Sequence, residues 1–222
     1  MHTDIEEQEM YTDPYKIIAK FYDFIFEPIN LSLRQIGLKM CPISPGMKIL
    51  DIGCGTGAQL ELYKNLKCDT YGIDASPSML EKAKERLGNS TQLLVTDAKK
   101  TPFPNDYFDL IVASFVLHEM PSITRALVLK EIERLLRKEG HILLTDYHYE
   151  NRWTIKGILR KLFITISEIG GGKEHFKNYR EFIRRNGIPG MVENEPFEII
   201  QSKIVSGGNI GLFILKKRNQ EV

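Results

Sequence analysis

The most informative segment of the sequence is Ile49-Leu50-Asp51-Ile52-Gly53-Cys54-Gly55-Thr56-Gly57-Ala58. Its apolar run ends in three closely spaced glycines, a pattern typical of a strand that turns directly into a helix. Glycine in such a turn permits a positive φ and lets the backbone approach a ligand closely. A tight turn without a ligand would use the same residues, and Gly53, Gly55 and Ala58 also fit the relaxed fingerprint of dinucleotide-binding proteins. The stretch alone therefore predicts a strand, a turn and a helix, and leaves the ligand open.

Apolar strands and amphipathic helices alternate on both sides of this stretch. The patterns predict strands over 48–53, 70–73, 92–96, 108–114 and 141–146, and helices over 58–65, 77–87 and 123–137. Residues 108–114 are apolar on both faces, as a buried parallel strand should be. Ser76 is a plausible N-cap for the helix that follows it. This β-α repetition predicts a parallel sheet with helices on both faces.

The pattern changes after residue 150. Residues 151–187 carry no strand signal, and their apolar residues fall at helical spacing, broken by Gly170-Gly171-Gly172 before a second helix near 175–185. Residues 197–205 and 210–216 flank Ser206-Gly207-Gly208-Asn209 and predict a terminal hairpin. We therefore expect a helical cap over 1–45, with a helix over 14–40 interrupted at Pro28. A single domain should follow over 46–222, with a helical lid inserted at about 151–187.

Composition excludes several classes of protein. A formal net charge of +1 gives no signature of binding to nucleic acid. The three cysteines are odd in number and lack C-x-x-C spacing, which favours a reducing cytoplasm over a disulfide framework. The N-terminus does not resemble a signal peptide, and no apolar window is long enough to span a bilayer. His118-Glu119 is not followed by a second histidine at zinc-protease spacing, so we expect no metal.

Three aspartates stand at three successive strand ends. Asp51 lies just before the glycines, where a carboxylate would repel a pyrophosphate but attract a cationic sulfonium and ammonium ligand. Asp74 ends the second strand, 23 residues later, where it can accept hydrogen bonds from ribose hydroxyls. Asp97 follows the third strand, where it can accept a hydrogen bond from an adenine amino group. Each alone could be a helix cap or a solvated turn, but three in register indicate one ligand site at the edge of the sheet.

These residues resemble the motifs of the class I S-adenosylmethionine-dependent methyltransferases. Asp51-x-Gly53-x-Gly55-x-Gly57 is similar to their first motif, and Gly72-Ile73-Asp74-x-Ser76-x-x-Met79-Leu80 to their second. Asp97-Ala98, Phe108-Asp109-Leu110-Ile111 and Leu135-Leu136-Arg137-x-x-Gly140 follow in the family's order. The resemblance covers roughly residues 45–150. It implies an α/β, Rossmann-like, doubly wound mixed sheet of seven strands in the order 3-2-1-4-5-7-6, with the last strand antiparallel.

The resemblance also implies S-adenosylmethionine as cofactor and S-adenosylhomocysteine as product. Ile18-Ala19-x-x-Tyr22-Asp23 is similar to the N-terminal segment of the ubiquinone/menaquinone-biosynthesis branch, where an aromatic residue helps to cover the cofactor. A helix that only packs against the domain would carry the same residues. The cofactor-binding residues expected from the resemblance are Tyr22, Asp51, Gly53, Cys54, Gly55, Gly57, Asp74, Ala75, Ser76, Met79, Asp97, Ala98 and Ser114.

The methyl acceptor is less well specified. Candidate catalytic residues are His118, Tyr147 and His148, which follow the fourth and fifth strands and include two histidines able to act as general bases near neutral pH. Candidate substrate-binding residues are His118, Tyr147, His175 and Tyr179. A good nucleophile needs only alignment and desolvation, so a base is not obligatory. We expect a small-molecule acceptor that is lipid-like, quinone-like or anionic.

The insert and the competing functions leave alternatives open. Residues 152–190 hold nine Lys or Arg against three Glu, which fits either a lid with a solvated basic face or peripheral contact with a membrane. A protein or RNA methyltransferase of the same fold is a second candidate function. A nicotinamide-dependent oxidoreductase and a non-catalytic cofactor-binding protein are candidates of other classes. The sequence carries no signal for an oligomeric state.

Overall fold

The structure, a computed structural model, describes residues 22–149, 164–165 and 172–218. Its strands are β1 (Lys48–Ile52), β2 (Asp69–Asp74), β3 (Gln92–Val95), β4 (Phe108–Ser114), β5 (Leu136–Tyr147), β6 (Phe197–Val205) and β7 (Ile210–Lys217). Its helices are α1 (Tyr22–Met40), α2 (Ala58–Asn65), α3 (Pro77–Leu87), α4 (Ser122–Leu135), α5 (Lys173–Arg184) and α6 (Gly187–Val192).

All seven strands form one sheet in the order β3-β2-β1-β4-β5-β7-β6, which confirms the predicted topology. Strands β1 to β5 pair in parallel, and β7 is antiparallel to both β5 and β6. The parallel strands end at the same edge of the sheet, so the residues at their carboxyl ends are brought together there. Ligands of open α/β sheets bind at this edge.

The interior of the sheet is fully covered by helices. Ile49 and Leu50 of β1, Ile111 of β4 and Leu144 of β5 are fully buried. Successive side chains of a strand point to opposite faces of the sheet, so all of them are buried only where both faces are covered. The continuous apolar pattern of β4 predicted this burial on both faces. Helix α1 packs beside β7, where Leu33 joins a small core with Ile210 and Leu212.

Three elements differ from the sequence-based expectation by more than one or two residues at their ends. Strand β5 begins at Leu136 rather than 141, because Phe108 pairs with Leu136 before a register shift brings Leu110 opposite His141. Helix α1 continues through Pro28, which removes a single hydrogen-bond donor from the helix. Helix α6 was not predicted, since its Gly187-Ile188-Pro189-Gly190 resembles a loop.

The predicted insert is described only in part. Helix α5 corresponds to its second predicted helix, whereas most of 151–171 lies outside the described residues, as do 1–21. Within the ranges that the structure describes, no helix combines the length and the apolar character needed to cross a membrane.

Candidate active site

The glycine turn is held by the ends of β1 and β2. The backbone N–H groups of Gly53 and Cys54 donate to the carbonyl of Ile73 at 2.8 and 3.0 Å. The N–H of Gly55 donates to Oδ2 of Asp74, and the N–H of Ser76 donates to its Oδ1, both at 2.8 Å. Asp74 therefore fixes the turn. Each carboxylate oxygen has two lone pairs and can accept more than one hydrogen bond.

Gly55 and Gly57 serve different purposes in this turn. Both have a positive φ, +52° and +78°. A Cβ added to Gly57 would lie 2.7 Å from Leu87 of α3, so close packing against that helix requires glycine at position 57. A Cβ added to Gly55 would meet no protein atom within 4 Å, so the space in front of Gly55 is open to a ligand.

Asp51 lies beneath the turn with 2% of its surface exposed. Burial raises the pKa of its carboxyl to about 8; the positive charge of Arg34 opposes this rise and the negative charge of Asp74 adds to it. A buried carboxylate of this kind favours a cationic ligand, because an added positive charge stabilises the ionised form.

The cleft above Asp51 is formed by the glycine turn, the ends of β4 and β5, and helix α1. Five of the predicted cofactor-binding residues line it: Asp51, Gly53, Cys54, Gly55 and Ser114. Helix α1 adds Asn30, Leu33, Arg34 and Gly37, which the sequence did not indicate. Tyr22 begins α1, but its side chain lies outside the described residues.

A second network begins where the cleft meets β5. The carboxylate of Asp146 is fully buried and accepts hydrogen bonds from the backbone N–H groups of Leu117 and His118, each at 3.2 Å, and of Tyr147 at 2.7 Å. Nδ1 of His118 donates to its Oδ1 at 2.6 Å. Asp146 therefore fixes the loop after β4 and the orientation of the His118 ring. The sequence did not indicate a role for Asp146, because the local pattern of β5 does not show that its side chain binds the loop after β4.

Two rings of this loop pack together with three rings from β5 and α5. We call Phe115, His118, Tyr147, His175 and Tyr179 the acceptor cluster. The Tyr147 ring lies 4.6 Å from His118, 5.4 Å from Phe115 and 5.5 Å from Tyr179, measured between centroids. His175 lies 5.6 Å from His118. The fold thus brings together the four residues predicted to bind substrate. His148, the remaining catalytic candidate, lies instead against Phe213 at 5.8 Å.

Known proteins resemble this chain in sequence and in fold. A family described as a methyltransferase domain matches residues 50–144. A phosphatidylethanolamine N-methyltransferase of Cereibacter sphaeroides is 30% identical over 202 residues, which cover 89% of this chain and 92% of that protein. This chain belongs to the class I S-adenosylmethionine-dependent methyltransferases. Its cofactor is accordingly S-adenosylmethionine.

One further sequence relative and one solved structure also resemble this methyltransferase. The ubiquinone/menaquinone biosynthesis C-methyltransferase of Paraburkholderia phytofirmans is 34% identical over 140 residues, and the aligned part spans only 57% of that protein and 59% of this one. The methyltransferase solved with the Trm112 methyltransferase activator of Haloferax volcanii has a TM-score of 0.69, 15% identity, and coverage of 94% of this chain and 100% of its own. That second likeness establishes the fold.

The residues expected around adenine lie farther along the same sheet edge of this methyltransferase. Ser76 is buried and caps α3 by accepting a hydrogen bond from the N–H of Met79 at 3.2 Å. Ala75 is exposed and Ala98 is half-buried. Asp97 is exposed and pairs with Nζ of Lys99 at 2.9 Å. Partial burial acts to raise the pKa of Asp97, but hydrogen bonds and charge from Lys99 outweigh it and lower that pKa. The adenine contacts of these residues remain predictions.

Helix α5 is tied to the loop that carries His118. Nδ2 of Asn178 donates to the carbonyl of Glu119 at 2.8 Å. Arg125 of α4 is paired with Glu181, and its guanidinium lies 5.3 Å from the centre of the Phe182 ring. Tyr179 and Phe182 are buried. This part of the predicted lid is therefore packed against α4 and the acceptor cluster.

Proposed function

We propose that this methyltransferase transfers the methyl group of S-adenosylmethionine to a small, lipid-like molecule bound in the acceptor cluster. One observation carries the proposal: Phe115 lines the cleft above Asp51 and also contacts Tyr147 of the cluster. The cluster therefore begins where the cofactor cleft ends. An acceptor held there would meet the methyl group at the boundary between the two.

The donor is expected to bind with its charged end over Asp51. The methionine ammonium and the sulfonium are cations, and a buried carboxylate attracts them strongly where water is excluded. Asp74 would accept the ribose hydroxyls while its bonds to Gly55 and Ser76 keep it in place. The methyl group then points towards Ser114 and Phe115, at the carboxyl end of β4.

The acceptor side is suited to a small and largely apolar molecule. Aromatic rings supply apolar surface with few rotatable bonds, and their polar edges orient a functional group. Asp146 fixes His118, so an acceptor would meet preorganised groups at this position. Exclusion of water and alignment of the nucleophile with the sulfonium are then the main catalytic contributions.

Helix α5 offers a place for an anionic group next to the cluster. Lys173, Lys177, Arg180 and Arg184 are exposed and recur at the spacing of one helix face. They line a groove with Pro121 and Ser122 at the start of α4, where they outnumber the carboxylates of Glu174 and Glu181 by four to two. A phosphate-bearing lipid would place its anionic group on these cations. The phosphatidylethanolamine and quinone-precursor methyltransferases among the relatives support a lipid-like acceptor.

The test is methyl transfer from labelled S-adenosylmethionine to extracted lipids, aminophospholipids and hydroxylated quinone precursors, followed by mass spectrometry. We expect one lipid-like class to be methylated, and Tyr179→Leu to lower the activity at least about tenfold. The matched control is Tyr149→Leu, because Tyr149 is 45% exposed and lies outside the cluster. Methylation of protein or RNA alone, or equal effects of the two substitutions, would refute the proposal.

A further inference from the structure

Two imidazoles and a carboxylate meet at one side of the acceptor cluster. A ligand atom from each of His118, Glu119 and His175 lies within 4.8 Å of those from the other two. The two imidazole rings are nearly perpendicular, at 89°. Donors around a tetrahedral zinc ion stand roughly 3.4 Å apart, so side-chain adjustments of about 1 Å would complete such a site.

The hydrogen bond from Asp146 provides a second, independent observation. A histidine that binds a metal almost always donates its other ring N–H to a carboxylate or a carbonyl, which fixes the ring and raises its basicity. Asp146 holds Nδ1 of His118 in this way at 2.6 Å, inside the protein where neither residue is more than 3% exposed. In the neutral imidazole, donation from Nδ1 leaves the lone pair on Nε2.

The position of α5 brings the third ligand into place. Asn178 binds the carbonyl of Glu119, and Arg125 pairs with Glu181, so the helix is anchored at two points to the loop and to α4. His175 lies one turn before Asn178 and is half-buried. The same anchoring that builds the acceptor cluster therefore presents His175 to His118 and Glu119.

We infer that His118, Glu119 and His175 form a binding site for one divalent transition-metal ion on the acceptor side of the cofactor cleft. Two imidazole nitrogens and one carboxylate oxygen suit Zn²⁺, Fe²⁺, Co²⁺ or Mn²⁺, whereas Mg²⁺ and Ca²⁺ prefer oxygen ligands alone. Three protein ligands leave coordination positions for an exogenous group, as in catalytic rather than structural metal sites. The sequence predicted no metal, because a search for local spacing cannot pair His118 with a histidine 57 residues away.

The metal site also narrows the chemical class of the methyl acceptor. This step rests on the proposed function. A hydroxyl group bound to the ion loses its proton to solvent more readily, because the cation lowers the pKa of an oxygen that coordinates it. The resulting anion supplies the electron pair that forms the new bond to the methyl carbon. The bond between sulfur and that carbon breaks, and its electron pair stays on sulfur in S-adenosylhomocysteine. The acceptor is accordingly a molecule with an ionisable hydroxyl group, such as a phenol or an enol.

Metal binding can be tested without any acceptor or cofactor. The full chain, stripped with a chelator and dialysed, is titrated with Co²⁺ by visible absorption and calorimetry. We expect one ion per chain and a visible band from nitrogen and oxygen coordination that Zn²⁺ abolishes. Glu119→Gln and His175→Ala should each weaken Co²⁺ binding at least about tenfold, and Asp146→Asn by about ten- to a hundredfold. Thermal unfolding of each variant verifies that it is folded.

His141→Ala is the matched control, since His141 lies on β5 outside the cluster. If Co²⁺ binds this variant, Glu119→Gln and His175→Ala with equal affinity, or binds the wild type only weakly and without a defined stoichiometry, the site is refuted.

Methyl transfer is then measured before and after chelation. Loss on chelation and recovery with Zn²⁺ or Mn²⁺ support the catalytic role, and unchanged transfer to a lipid-like acceptor refutes it while leaving the proposed function intact. Metal binding as expected without any methyl transfer would refute the proposed function and leave the site intact.

Discussion

Asp51 shows at the scale of one residue how binding and stability oppose each other. Its pKa is about 8 in the folded protein against 3.8 for an unperturbed carboxyl group. The folded state therefore disfavours the ionised form. Protonated Asp51 fits the folded state, so its effect on the free energy of unfolding is most favourable below about pH 4. As the pH rises from about 4 to about 8, ionisation of this residue lowers the free energy of unfolding. A bound cation reverses this cost.

We predict that Asp51→Asn stabilises the protein without cofactor but weakens cofactor binding. At pH 8 the free energy of unfolding should rise by about 1–3 kcal/mol, because a buried charge is replaced by a neutral group of the same shape. Affinity for S-adenosylmethionine should fall about ten- to a hundredfold through loss of a charge-assisted contact. Denaturant titration and calorimetry measure the two effects. A variant that is less stable yet binds normally would place Asp51 in a structural role.

Gly55 offers a test with a closely matched control. Gly55→Val should abolish cofactor binding, because the added side chain would occupy the open space in front of the turn and resist its positive φ. Gly88 has a comparable φ of +65° and equally open surroundings, but it lies in the turn after α3. Gly88 also has a ψ of −157°, a combination that is essentially restricted to glycine. Gly88→Val should therefore carry substantial backbone strain and yet keep affinity. If calorimetry finds the two variants equally impaired, strain alone explains the loss.

Among the elements, α1 forms one wall of the cofactor cleft. It contributes Asn30, Leu33, Arg34 and Gly37 to the cleft, and its Leu33 also packs against Ile210 and Leu212 of β7. We predict that S-adenosylhomocysteine slows hydrogen exchange in α1 by at least about fivefold, since ordering a helix against a ligand reduces local opening. Exchange in β6, at the far edge of the sheet, serves as the internal control. Unchanged exchange in α1 would show that the helix is already fixed without ligand.

The elements differ in how well the sequence predicts them. Helices α2 and α3 and strands β4 and β6 begin and end where the sequence pattern indicates. Gly57 precedes α2, Ser76 and Gly88 flank α3, and Pro196 precedes β6, whereas an uninterrupted apolar run marks β4. The start of β5 does not follow the sequence pattern, since Leu136 continues the apolar pattern of α4 while its backbone already pairs with β4. Tertiary pairing decides such a boundary, and local pattern does not report it.

The candidate site divides in the same way. Motif residues such as Asp51, Gly55 and Asp74 could be predicted because strand ends and turns are local features. Asp146 and Arg34 could not, because their roles depend on loops and helices that contact them only in the folded chain. His175 was named as a substrate-binding candidate, but its approach to His118 and Glu119 became visible only through the packing of α5.

At the scale of the whole molecule, one sheet edge serves two tasks. The glycine turn after β1 forms the charged floor of the cleft around Asp51, and the ends of β4 and β5 border that cleft. The same two strand ends carry Phe115, His118 and Tyr147 of the acceptor cluster. Phe115 lies at the boundary between the cleft and the cluster. A parallel sheet produces this arrangement because all its strands deliver their ends to one side.

Calorimetric titration of the full chain with S-adenosylmethionine, S-adenosylhomocysteine and NAD tests the central claim of a cationic donor held over Asp51. We predict one binding site for S-adenosylmethionine, with affinity that increases from pH 6 to pH 8.5 as Asp51 ionises. Proton release should accompany binding and vanish in Asp51→Asn. NAD should bind at least about a hundredfold more weakly, because the buried carboxylate repels its pyrophosphate. Tight NAD binding, or S-adenosylmethionine affinity that is independent of pH and of Asp51, would show that Asp51 does not select a cationic donor.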